Sequence, residues 1–238
     1  PGGAVPQFDA HGTAYLSGYC NGFVLIAPSQ SQRFQRKVVI TPTPVHDFTL
    51  SLSGASHGLA AWTEEECSFD EEGPGPPLGP VLASVLNANA FGRTLELTPA
   101  DTKAAYNNVV ALPQGGTVTW ITETESSLGN EAFSAQIGAN GLGGAPQQIA
   151  DRFAPIAADG GGDEMFAPMP GALISIPANP VFVRPASGGL DEPVPEGDTP
   201  HPPVVQTAAA PFGRVIAAAW NLSSSGSGPT MAVSVWRP

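Results

Sequence analysis

Six carboxylates fall within nine residues, at Glu64, Glu65, Glu66, Asp70, Glu71 and Glu72. Clustered oxygen ligands suit a hard cation such as Ca²⁺. Their order lacks the Asp-x-Asp-x-Asp-Gly spacing, so a solvated acidic loop held open by self-repulsion stands as the other reading. Asp47, Asp163 and Glu164 are acids beside segments that read as innermost strands. Two carboxyl groups flanking one bond, about 5–10 Å apart, would suit glycoside hydrolysis. His46, Asp159 and His201 share a position, each 12 residues before a recurring glycine at Gly58, Gly171 or Gly213. If they open innermost strands, they converge on one channel mouth and could bind a ligand or metal, or exchange protons. Otherwise they are turn residues that never meet. Cys20 follows Gly12 by 8 residues and Cys67 follows Gly58 by 9, which puts both thiols after equivalent strands. That register predicts a disulfide between neighbouring units, contributing about 4 kcal/mol in the chain-entropy model.

The elements that must position these groups are short strands. A glycine followed by an apolar run recurs at Gly12, Gly58, Gly116, Gly171 and Gly213, at intervals of 42 to 58 residues. Copies such as Gly58-Leu-Ala-Ala-Trp62 and Gly116-Thr-Val-Thr-Trp120 end in an aromatic ring. Each repeat also holds further β-rich runs, separated by Gly, Asn, Ser and Pro clusters that supply turns. The spacing predicts a β-propeller of about five four-stranded antiparallel blades. The blades divide at approximately 1–45, 46–103, 104–158, 159–200 and 201–238. The expected inner strands are Ala4–Asp9, Phe48–Ser53, Asn108–Leu112, Met165–Pro168 and Val204–Ala208. The last blade is short of one strand, so its strand Met231–Trp236 is uncovered, and Trp236 becomes a candidate partner-binding residue. Trp62, Trp120 and Trp220 end second strands, where large rings fill the gaps between blades. Only Pro99 to Asn107 reads as a turn or two of helix, capped by Thr98.

These Gly-x-Ala-x-Trp-type strands resemble the sialidase-like, or BNR-like, propeller repeats of secreted bacterial proteins. The resemblance implies a propeller fold. It also raises a glycan-active reading, although the Ser-x-Asp-x-Gly-x-Thr-Trp box of that family is nowhere intact. Asp9-Ala-His-Gly12-Thr keeps its Asp and Gly, and no other unit reads as keeping the Asp.

Composition narrows the function. The 238 residues carry 9 Lys and Arg against 21 Asp and Glu, a net charge of −12. Nucleic acid needs a basic stripe, and none is present. No apolar run is long enough to span a bilayer as a helix. Gly-x-Ser-x-Gly, phosphate-loop and dinucleotide fingerprints are absent. The first residue is Pro1, so the chain is expected to be processed or part of something longer. The leading expectation is a non-catalytic binding or scaffold module of an exported or surface assembly, with a protein partner. The alternative is a secreted glycan-binding or glycoside-hydrolysing propeller that acts through its long loops, Thr63 to Pro80 and Ser187 to Pro203. No cofactor is expected beyond the possible Ca²⁺.

Overall fold

A computed structural model describes residues 5–17, 22–29, 31, 33–42, 45–54, 57–66, 79–88, 90–122, 131–149, 153–168, 181–187, 192–193, 204–209, 215–222 and 230–237. These residues form strands and turns, with no helix among them. No helix is long and apolar enough to cross a membrane among the described residues.

Five antiparallel sheets follow one another along the chain. The first holds β1 (Val5–Phe8), β2 (Ala14–Ser17), β3 (Phe23–Ala27) and β4 (Arg36–Val39) in that order. The second holds β5 (Val45–Leu52), β6 (His57–Glu66) and β7 (Val81–Asn87), whose outer edge pairs with two short pieces, β8 (Ala90–Phe91) and β9 (Leu95–Glu96). The third repeats that plan with β10 (Ala104–Leu112), β11 (Gly115–Thr122), β12 (Glu131–Gly138), β13 (Gly141–Leu142) and β14 (Gln147–Gln148). The fourth holds β15 (Phe153–Ala158), β16 (Glu164–Pro168), β17 (Phe182–Arg184) and β18 (Glu192–Pro193). The fifth has three strands among the described residues, β19 (Val204–Ala209), β20 (Ile216–Leu222) and β21 (Thr230–Trp236).

The first strand of each sheet packs against the first strand of the next, from β1 to β5, β10, β15 and β19. Side chains stitch this row together. Gln7 Nε2 donates to the Leu50 carbonyl and the Ala111 amide donates to Ser51 Oγ. Asn108 Nδ2 donates to the Pro155 carbonyl. Three consecutive sheet junctions are therefore bridged at their first strands.

Burial explains why the second strands read as unbroken apolar runs. Leu59, Ala60, Ala61 and Trp62 are all buried, because β6 has a sheet on each face. Ala60 and Trp62 join Tyr15, Val24 and Leu50 between the first and second sheets. Leu59 and Ala61 join Val109, Val118 and Trp120 between the second and third. Fully burying each large apolar side chain contributes about 1.5–3 kcal/mol. Trp62 stacks on Phe48 and Trp120 on Phe133, each pair 6.1 Å apart. The Trp220 side chain lies outside the described residues. The outermost strands are exposed, as in Arg36, Lys37 and Val39 of β4.

Two of the recurring glycines serve different needs. Gly12 adopts φ +75° in a turn. Gly116 is a close-approach residue in β11. A Cβ there would stand 2.3 Å from the Val110 carbonyl oxygen and 2.8 Å from Leu59 Cδ2.

The fourth sheet departs from the expected register. It begins at β15, before the expected boundary at 159, and Met165–Pro168 belongs to its second strand rather than its first. The segment around Gly171, taken as the repeat's anchor, lies outside the described residues, as does Gly213. Pro99 to Asn107 also differs, forming one turn closed by the Thr102 amide on the Pro99 carbonyl at 3.0 Å before β10 starts. Thr98 Oγ1 accepts from the Val81 amide at 2.9 Å, tying the outer piece to β7 instead of capping a helix.

Candidate functional site

The expected acidic residues of the fourth sheet separate into turn builders and one cleft residue. Asp159 does not open an innermost strand. It follows β15, in the hairpin to β16. Asp159 Oδ1 accepts from the amides of Gly161 at 2.8 Å and Asp163 at 3.1 Å. Its own amide donates to the Asp163 carbonyl at 3.1 Å, and Gly162 sits at φ +86°. This is the hairpin of the first sheet over again. There, Asp9 Oδ1 accepts from the amides of His11 and Thr13, both at 2.9 Å, and Gly12 holds the left-handed position. The motif Asp-x-x-Gly-x therefore occurs twice, and the expectation that no other unit keeps the Asp of the first hairpin is overturned. Both aspartates are buried. A side-chain oxygen that takes two local amides fixes such a turn, and glycine supplies its φ > 0.

Asp163, also buried, accepts from the Ala186 amide at 2.8 Å. That bond ties the hairpin to the turn beyond β17. Glu164 next to it opens β16 and takes the opposite face, because successive strand residues alternate. Its strand partner is Arg184 of β17, and Phe166 is paired with Phe182 on the same face. Phe166 and Phe182 stack with centroids 5.1 Å apart, and Phe153 tilts against Phe182 at 5.6 Å. The Arg184 guanidinium lies 4.5 Å from the Phe166 ring centroid.

This face lines a cleft of about 220 Å³ between the third and fourth sheets. The facing wall comes from β11 and β12 and is polar, with Thr117, Ser134 and Gln136 turned toward it. These residues alternate with Val118, Ala135 and Ile137, which face the second sheet. Thr117 Oγ1 donates to Gln136 Oε1 at 3.2 Å, which leaves the Gln136 amide group as a donor. Ile149 and Pro155 complete the apolar part of the lining. Burial pushes the Glu164 carboxyl above its ordinary range, and the positive charge of Arg184 opposes that shift. Glu164 Oε1 is buried and makes no hydrogen bond. The arrangement holds an unsatisfied acceptor, a guanidinium, amide and hydroxyl groups and ring surface in one space. It can bind a small molecule that carries both donors and acceptors.

Most of the remaining sequence candidates have side chains outside the described residues. His46 and Asp47 lie in the backbone of β5, where the pairing with β6 is irregular between His46 and Thr49. Their side chains, those of Glu65 and Glu66 at the end of β6, and that of Trp236 in β21 lie outside the described residues. Glu64 is exposed on β6. Asp70, Glu71, Glu72, His201, Cys20 and Cys67 fall outside the described residues altogether. No group of three or more His, Cys, Asp or Glu is placed to hold a metal ion among the described residues. His11 is exposed in the first hairpin, and burial lowers the pKa of His57, which begins β6.

Sequence reasoning reached Glu164 but missed Thr117, Ser134, Gln136 and Arg184. The period of two in β11 and β12 was the available signal, since polar residues alternate with buried apolar ones along both strands.

No protein-family profile matches the sequence, and no curated protein matches it. Among solved structures, the chain is similar to the acylaminoacyl peptidase of Pyrococcus horikoshii, with a TM-score of 0.55 and 10% identity over 98% of this chain. The chain spans 37% of that peptidase's length. An α-L-arabinofuranosidase of Fusarium graminearum, solved with arabinobiose, aligns with a TM-score of 0.46 and 14% identity, over 97% of this chain and 74% of that one. Virginiamycin B lyase from Staphylococcus aureus aligns with a TM-score of 0.42 and 11% identity, over 91% and 77%. At such identity the likeness to the peptidase concerns the fold alone.

Proposed function

We propose that the five sheets are blades of a β-propeller with β1, β5, β10, β15 and β19 innermost, and that the chain is a non-catalytic binding and scaffold module of an exported or surface assembly. The ordered packing of first strands supports the propeller. A unit of this fold makes up about a third of the peptidase chain, so it occurs as one part of a larger protein.

One observation carries the binding role. Among the described residues β21 pairs only with β20, through seven register positions from Ile216↔Trp236 to Leu222↔Thr230. No described residue pairs with its other edge, whose backbone donors and acceptors along a seven-residue strand would be a template for an added strand. Val235 of this strand is 51% exposed. A strand from a protein partner, or from a neighbouring segment of a longer protein, would complete the blade. The described lining of the cleft offers one carboxylate, Glu164, which favours binding over glycoside hydrolysis.

The test is amide hydrogen exchange on β21 in the assembly purified gently from its native source, compared with the isolated chain. Alternate amides of β21, those pointing away from β20, should exchange more slowly in the assembly, and Trp236→Ala should weaken its cohesion. Equal exchange in the two samples would refute the edge-strand reading.

A further inference from the structure

We propose that the cleft between the third and fourth sheets is a binding site for one neutral sugar ring. This goes beyond the edge-strand reading and is independent of it, because none of the cleft's residues belongs to the fifth sheet.

Ligand size follows from the space. A volume of about 220 Å³ is below the roughly 300–1,000 Å³ of drug-sized sites, so the cleft takes a single ring rather than an extended chain. Ligand charge follows from the walls. Glu164 and Arg184 stand opposite each other in register, and both line the cleft. A bound anion would meet the carboxylate of Glu164 in a partly desolvated site. A bound cation would meet the guanidinium of Arg184. A neutral molecule meets neither penalty.

Hydrogen-bonding chemistry selects further. Glu164 Oε1 is a buried acceptor without a donor, and a buried polar atom left so is costly unless something completes it. Gln136 offers an amide donor on the wall facing Glu164, while Ser134 offers a hydroxyl that can do either. The rings of Phe153 and Phe182 add apolar surface. A ligand that matches has several neutral hydroxyl groups spread around a compact carbon ring with C–H faces. That is the chemistry of a pyranose or furanose. Among the described residues, the junctions between the first and second, second and third, and fourth and fifth sheets pack through apolar clusters. At the third–fourth junction the buried apolar cluster shrinks to Ile121, Ala132 and Ala154. A polar cleft is thus a departure from the three other junctions described.

The test is saturation-transfer NMR on the full chain with the methyl glycosides of glucose, galactose, mannose, xylose and arabinose, with leucine as a zwitterionic control. At least one glycoside should show transfer, with a millimolar Kd. Gln136→Trp should abolish it by filling the exposed mouth of the cleft, and Glu164→Ala should weaken it at least tenfold. Circular dichroism melting of both variants separates lost binding from lost folding. If Glu164→Ala does not fold, Gln136→Trp at an exposed strand position decides alone. The proposal is overturned if no glycoside shows transfer, if transfer survives in the folded Gln136→Trp chain, or if leucine binds and the glycosides do not.

Discussion

Replacing Asp159 by alanine tests whether the hairpin, rather than any ligand chemistry, is what this residue serves. The change deletes two hydrogen bonds from backbone amides to a carboxylate, at 2.8 and 3.1 Å. Hydrogen bonds to charged groups contribute roughly 1.5–3 kcal/mol each. The Asp163 amide stays buried and cannot recover its partner from water. The expected loss is about 3–5 kcal/mol. At about 2–4 °C per kcal/mol for a chain of this size, melting should fall by about 6–20 °C. Asp159→Asn keeps an Oδ1 acceptor in place and should cost about 2 kcal/mol, the charge-assisted half of the two bonds. Asp9→Ala should resemble Asp159→Ala, since its Oδ1 takes the amides of His11 and Thr13 and its Oδ2 accepts from the Tyr15 hydroxyl at 3.3 Å. The assay is denaturant unfolding followed by tryptophan fluorescence, with thermal melts in parallel. An Asp159→Ala chain within 1 kcal/mol of the parent, measured against the roughly 3–5 predicted, would refute the reasoning. So would equal damage from Asp159→Asn and Asp159→Ala, because geometry would then not be what matters.

Three further substitutions follow from the structure. Gly116→Ala places a Cβ 2.3 Å from a carbonyl oxygen at φ +155°, so it should cost about 3 kcal/mol or more, while Gly144→Ala, with nothing within 4 Å, should be near neutral. Denaturant midpoints of the two variants check this. Glu164 has a folded-state pKa above its ordinary value of 4.5, so the folded chain binds more protons there than the unfolded chain. Its contribution to stability therefore falls as pH rises through the window between the two values. Glu164→Gln should raise the melting temperature at pH 7 and leave it nearly unchanged at pH 4, which paired melts at the two pH values would show.

Much of the strand layout was legible in the sequence for a physical reason. Phe23–Ala27 and Val81–Asn87 are short apolar runs between turn clusters, and both are strands with those same bounds. Leu59 to Trp62 reads as a strand because sheets on both sides demand apolar residues on both faces. The fourth sheet defeated the same logic. Its first two strands carry Pro155 and Pro168, and proline lacks the ladder donor that a strand interior needs. The chain accommodates Pro155 with a pairing irregularity before Ala157, and the Pro155 carbonyl accepts from Asn108 Nδ2. The glycine of the described hairpin in this sheet is Gly162, after Asp159, while Gly171 lies outside the described residues. A search for glycine before an apolar run passes over it, because a charged pair, Asp163 and Glu164, follows Gly162 directly.

The cleft was less legible because alternation alone cannot say what a polar face meets. Thr117, Thr119, Ser134 and Gln136 alternate with buried apolar residues, as they would in any sheet with one wet side. Only the order of the sheets turns that face toward Glu164 and Arg184. Once enclosed, the same residues carry a cost. Thr119 Oγ1 and Glu164 Oε1 are both buried without a hydrogen bond, one on each side of the junction. Replacing them with apolar side chains would remove that cost, and apolar side chains fill the larger clusters described between the first and second and between the second and third sheets. A junction that keeps an unsatisfied carboxylate opposite a row of hydroxyl and amide groups is poorly explained by stability, and is explained by a ligand whose hydroxyl groups complete those bonds.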